Sequence, residues 1–196
     1  MSTVNPLLLD IPESLETERL MIRAPQAGDG SMVYEAIHES IEQLRPWLPW
    51  AQEAPSLEQS ETGVRQARLR YLERSDLRLY LLHKNTGKLV GCSGLHGVDW
   101  EARKFEIGYW IRTSCLGQGY ITEAVNGITE FAITQLQANR IEIRCDSINA
   151  RSIQVAVRTG FTLEGTLRCD ERRTDDSLMD TMVFAKVRGF EFGSSE

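Results

Sequence analysis

Gly117 and Gly119 lie one residue apart in Leu116-Gly117-Gln118-Gly119-Tyr120-Ile121-Thr122, between an aromatic-rich run (Phe105 to Ile111) and a helix-forming run (Glu123 to Ile133). A strand, a glycine turn and a helix start in that order aim several backbone N–H groups at one point. The helix dipole adds partial positive charge there, which makes a site for phosphate. Glycine suits the position because a Cβ would hinder close approach and penalise left-handed φ values. The same pair also serves as an ordinary turn, and G-x-G by itself does not separate the two readings. A nucleoside-triphosphatase loop is excluded and a dinucleotide fold disfavoured. The chain has no G-x-x-x-x-G-K-[ST] loop, and Thr122 stands where a dinucleotide fingerprint needs its third glycine.

Other chemistry-bearing residues are scattered. Four cysteines (Cys92, Cys115, Cys145, Cys169) and three histidines (His38, His83, His96) show no metal-ligand spacing, so no metal is expected. A formal charge of −6 argues against a nucleic-acid binder. Asn5-Pro6 and Asp10-Ile11-Pro12 interrupt the apolar run Leu7-Leu8-Leu9, so no signal peptide is expected. No apolar stretch is long enough to cross a membrane. The expected location is the cytoplasm.

These residues need elements to position them. The 196 residues suit one domain at 15–188, with an arm at 1–14 and a tail at 189–196. Leu15 to Ala24 reads as one strand, followed by a helix from about Gly30 through Ile37. Ser56 with Gln59 forms a capping box that opens a second helix to about Arg74. Asn85-Thr86-Gly87 joins two strands, 79–83 and 88–93, as a hairpin. Phe105 to Arg112 is the next strand. After the glycine turn and its helix comes Arg140 to Cys145, parallel to its predecessor by the strand–helix–strand rule. Asn149 caps a short helix that Gly160 stops, and strands 162–168 and 178–187 close the chain.

This order, β-α-α-β-β-β-α-β-α-β-β, resembles the GNAT acyl-CoA N-acyltransferases. Thr17 to Arg23 resembles the family's opening strand, and Gly117 to Ala124 its pyrophosphate loop. Asn149-Ala150-Arg151-Ser152 with Thr159 to Arg168 resembles its coenzyme-contacting helix and following strand. Within the family, the likeness is to the branch that acetylates N-terminal amines of ribosomal proteins. The resemblance implies an α+β fold with a mixed central sheet of about seven strands and four helices. One departure is Ser114, where many members carry Gln or Arg three residues before the first loop glycine.

The resemblance also implies acetyl-coenzyme A as cosubstrate. Leu116, Gly117, Gln118, Gly119, Tyr120, Ile121 and Thr122 would hold its pyrophosphate. In this fold the strands 105–112 and 140–145 splay apart, so pantetheine can pair with the exposed backbone, and an N–H near Ile111 can polarise the thioester. Asn149 would bond pantetheine, Cys145 would lie beside the coenzyme thiol, and Ser152 would protonate the departing thiolate. Glu171 would be the general base, and Trp47 and Trp50 would flank the acceptor. The competing readings are a helix cap for Asn149, core filler for a tryptophan, a solvated loop charge for Glu171 and strand structure for the lesser base candidate Glu164. No histidine lies near Cys145 in sequence, so direct attack in a ternary complex fits better than an acyl-cysteine.

The expected acceptor is a protein N-terminal amine. A small amine (polyamine, amino acid or antibiotic-like) is the alternative, and a non-catalytic coenzyme A sensor a third reading. An acidic ribosomal protein would need a basic patch on the groove, from residues such as Arg45, Arg172 and Arg173. Pairing of the last strands, or of the 105–112 hairpin edge, could join two copies into a homodimer, as is common in the family.

Overall fold

The computed structural model describes residues 5–193. Its frame is an eight-stranded sheet in the order β1-β2-β3-β4-β5-β6-β8-β7. The strands are β1 (Ser14–Glu16), β2 (Leu20–Arg23), β3 (Leu77–His83), β4 (Leu89–Asp99), β5 (Lys104–Ile111), β6 (Arg140–Asp146), β7 (Thr162–Arg172) and β8 (Leu178–Val187). Four α-helices, α1 (Gly30–Leu44), α2 (Leu57–Leu72), α3 (Tyr120–Thr134) and α4 (Ala150–Arg158), cover it. All neighbouring strands are antiparallel except β5 and β6, the pair joined through α3.

The sheet has one strand more than the sequence suggested, because residues 15–24 do not form a single strand. They fold into a β1–β2 hairpin, turned at Thr17–Arg19. Thr17 Oγ1 donates to Glu123 Oε1 at 2.5 Å, and the N–H and Nε of Arg19 donate to the same carboxylate at 2.7 and 2.6 Å. Glu123 sits in the first turn of α3, so the break in the strand is fixed by a helix far away in sequence. Burial alone would raise the Glu123 carboxyl, but these donors outweigh it and hold it below its ordinary range. The stretch before β1 is partly anchored, since Ile11 is buried in the core and Pro12 accepts a hydrogen bond from the Tyr71 hydroxyl.

Alternation along the strands divides the apolar residues between two layers. Leu77, Leu79 and Leu81 of β3 face a core shared with Ala124, Val125 and Ile128 of α3. Tyr80 of β3 and Cys92 of β4 face the other way, onto Val33, Ala36 and Ile37 of α1 and Val64 of α2. The capping box expected at the start of α2 is present, with Ser56 Oγ accepting from Gln59 N–H at 3.1 Å.

The feature that matters for function is a split in the sheet. β5 and β6 pair only from Lys104 to Glu106 against Arg140 to Glu142. Beyond that the two strands part, while β6 stays paired with β8 along its whole length. At the root of the split the buried Glu142 takes donors from Arg140 at 2.5 Å and Lys104 at 3.1 Å, so its charge is compensated. Among the described residues no helix is long and apolar enough to cross a membrane.

Candidate active site

The split opens into a cleft of about 910 Å³. One wall is β5, and β4 sets which of its groups are free. Arg112 N–H bonds Val90, and the register pairs Trp110 with Cys92 and Gly108 with Gly94. Alternate N–H groups, those of Tyr109 and Ile111, therefore point away from β4 into the gap left by β6. An extended, amide-bearing arm can satisfy them as an added strand would.

The floor is the glycine loop. Gly117 and Gly119 both take left-handed backbone angles, φ 72° and 80°, and Gly119 is the N-cap of α3. From Gly117 to Thr122 no backbone N–H finds an acceptor among the described residues. The loop is braced from behind, where Arg19 Nη1 donates to the Gln118 carbonyl at 2.9 Å and lies over the Tyr120 ring at 4.4 Å. A run of free donors at a helix start fits a pyrophosphate.

The opposite wall comes from β6, α4 and β7. Asn149 caps α4, its Oδ1 accepting from Ser152 N–H at 3.1 Å. That leaves its amide NH2 free to donate into the cleft, so capping and ligand binding use different atoms. Ser152 is held from the other side, because the Tyr109 hydroxyl donates to its carbonyl at 3.3 Å. Cys145 lines the cleft, and burial pushes its thiol up to about 11.

Most of the expected site residues converge here: Ile111, Leu116, Gly117, Gly119, Tyr120, Ile121, Thr122, Cys145, Asn149, Ser152, Glu171 and Trp47 all line the cleft. Gln118 does not. Its carbonyl goes to Arg19 and its side chain to the Ser114 carbonyl at 2.9 Å. Trp50 lines an adjoining cavity instead and tilts against Trp110, with ring centroids 6.1 Å apart. Neither Trp47 nor Trp50 is core filler, since they are 41% and 49% exposed. Glu171 is not in an acidic loop. β7 runs on to Arg172, and Glu171 pairs with Met179 just past an irregularity at which Cys169 has φ 54°. Glu164 is engaged elsewhere, in an ion pair with Arg140. The expected basic patch is engaged too. Arg45 pairs with Glu42, Arg173 with Asp146, and Arg172 donates to the Asp176 carbonyl.

Among the cleft residues that were not anticipated, two bear on the chemistry. Tyr109 is one, and burial raises its hydroxyl above its ordinary range. Glu106 is the other, a carboxyl on β5 pushed up mainly by burial, with Arg144 and His96 opposing and Glu142 and Glu171 adding to the rise. A signal for Glu106 existed: it is the sole charged residue in the run from Phe105 to Ile111.

Comparison with known proteins bears on this geometry. Residues 19–162 match the family model described as an acetyltransferase (GNAT) domain. A Bacillus subtilis (strain 168) protein provisionally named ribosomal N-acetyltransferase YdaF is 33% identical over 152 residues, 77% of this chain and 82% of that one. The ribosomal-protein-serine acetyltransferase of Escherichia coli (strain K12) is 28% identical over 171 residues, 87% of this chain and 94% of that one. Among solved structures, RimL, a ribosomal L7/L12 α-N-protein acetyltransferase in complex with coenzyme A, superposes with a TM-score of 0.81. It is 22% identical, with 90% of this chain and 97% of that one covered, and it carries a coenzyme A–cysteine disulfide.

Proposed function

The chain belongs to the GNAT acetyltransferase family, and on that premise we propose that its cleft acetylates the N-terminal α-amine of a ribosomal or similar protein by direct attack in a ternary complex. It is an acetyl-coenzyme A-dependent acetyltransferase, and its residues fit that cosubstrate. The observation that carries the reading is the coincidence of the β5–β6 split with the free N–H run from Gly117 to Thr122 in one cleft.

The chain's own groups divide the work. The loop amides hold the pyrophosphate, and Asn149 with the free β5 amides orients the pantetheine. The N–H of Ile111 receives the carbonyl oxygen and stabilises its charge as the amine nitrogen bonds to the acetyl carbon. Glu171 takes the proton that the amine loses. Ser152 passes its hydroxyl proton to the sulfur as the carbon–sulfur bond breaks. Cys145 is not a nucleophile in this scheme, because a thiol titrating at about 11 is protonated near neutral pH.

The α-amine suits a carboxylate base. Its pKa of about 7.7–8.0 leaves much of it neutral near pH 7.5, whereas a lysine amine at about 10.4 costs about 3–4 kcal/mol more to deprotonate. One observation favours a second assignment of the base. Burial lifts the Glu106 carboxyl above its ordinary range, which strengthens it as a proton acceptor. Coenzyme A release measured against N-terminal peptides, lysine peptides and polyamines tests the proposal. Faster turnover of polyamines than of peptides would reassign the acceptor to a small molecule.

A further inference from the structure

Beside the cleft lies a second cavity of about 530 Å³, on the face of the sheet that α1 and α2 cover. The two cavities share Leu48, Gly108, Tyr109 and Trp110 on their linings, so they adjoin at β5. A Cβ at Gly108 would stand 3.0 Å from the His96 ring, so a larger residue there would push the imidazole aside.

The charge of this cavity runs against that of the chain. The chain carries −6, yet no Asp or Glu lines the cavity, while Arg70 and Arg78 do. On α2 the neighbouring arginines are paired, Arg65 with Glu61 and Arg68 with Glu13. Arg70 and Arg78 form no ion pair and no side-chain hydrogen bond among the described residues. Asp76 interacts electrostatically with both arginines but hydrogen-bonds neither: His96 Nδ1 lies 2.8 Å from its Oδ2, and its buried Oδ1 has no partner among the described residues. Ser60 also lines the cavity, and its buried hydroxyl has no partner. Two guanidiniums and a hydroxyl with unused hydrogen-bonding capacity in a half-enclosed space suit a carboxylate, which can accept from both.

We propose that this cavity receives an acidic side chain, an Asp or Glu a few residues after the reacting amine, and so selects acidic N-termini. The inference rests on the reading of the adjoining cleft as an α-amine site. An acceptor that uses both cavities must reach from one to the other along β5. An extended peptide advances about 3.3 Å per residue and presents a side chain at each step, which a small amine does not.

The test is a set of serine-starting peptides, neutral apart from one Asp moved through the four positions after the first, each with its Asn counterpart. At one position Asp should lower KM by about tenfold or more against Asn, the scale of hydrogen bonds to a charged group, with kcat little changed. Arg70→Gln and Arg78→Gln should each shrink that preference, and Arg78→Glu should turn it toward Lys at the same position. Coenzyme A affinity, followed by calorimetry, should be unmoved in every variant. Equal KM for Asp and Asn at every position would overturn the inference, and that comparison needs only the wild-type enzyme. So would a preference that survives both glutamine variants, or competition by inorganic phosphate or a nucleoside monophosphate that exceeds that of the Asp peptide. If no peptide is acetylated at all, the α-amine reading itself has failed, which is a separate result.

Discussion

Arg173 grips Asp146 with two donors, Nε to Oδ2 at 2.5 Å and Nη2 to Oδ1 at 3.0 Å. The same guanidinium reaches the Leu178 carbonyl at 2.6 Å, so one side chain ties the β7–β8 turn to the end of β6. Asp146 is buried at the cleft wall beside Cys145, and Glu171 lies on the strand this clamp holds down. Arg173 is therefore placed to position Glu171, the proposed base.

Arg173→Gln should lower kcat while leaving coenzyme A affinity nearly unchanged. It should also carry a pH signature. The Arg173 hydrogen bond is the main cause holding the Asp146 carboxyl below its ordinary range. A depressed folded-state value means the pair's stabilisation is fully present above the unfolded value of about 3.9, and is lost as pH falls through the folded value. Urea midpoints of wild type and variant should differ at pH 7 and converge in strong acid. A gap that stays constant into acid would mean that packing, not pairing, is what Arg173 supplies.

Gly119→Val places a β-branched residue at φ 80°. A left-handed L-residue costs roughly 1–2 kcal/mol, and the new Cβ would stand 3.5 Å from Nη2 of Arg19, the side chain that braces the loop. Calorimetry should show coenzyme A affinity down by about tenfold or more, with the fold retained. Undiminished binding would remove the loop from the site.

Oxidised coenzyme A should form a mixed disulfide with Cys145, adding one coenzyme mass that Cys145→Ser abolishes. With the thiol lifted to about 11, the thiolate is scarce near neutrality, so labelling should quicken about tenfold per pH unit up to that value. Label found mainly on Cys115 or the exposed Cys169 would refute the placement.

Glu171→Gln should reduce kcat by about 10²-fold, with the loss shrinking as pH rises past the amine's pKa. Ser152→Ala should cost less and show no such rescue, since in the proposed scheme its proton goes to a thiolate. Glu106→Gln is the comparison that decides between the two carboxylates. A near wild-type rate for Glu171→Gln at pH 7, with a large loss for Glu106→Gln, would transfer the base to β5.

Legibility in the sequence followed the range of the interactions. The glycine loop, the Asn149 cap, the Ser56–Gln59 box and the 85–87 turn are set by neighbours within a few residues, and all stand where the sequence placed them. The family resemblance added the β5–β6 split. What could not be read depends on distant partners. Glu123 breaks the first strand at Thr17–Arg19, the β7–β8 pairing lifts Glu171 out of a loop, and only the packing of α2 on β3 brings Arg70 and Arg78 to one cavity.

The central claim is transfer to an N-terminal α-amine, and one peptide can carry the decision. A serine-starting peptide with an internal lysine, incubated with enzyme and acetyl-coenzyme A near pH 7.5, should gain a single acetyl mass. Fragment-ion spectra should place that acetyl on the first residue. An acetyl group on the lysine, or an unmodified peptide under conditions where a polyamine is acetylated, would contradict the account.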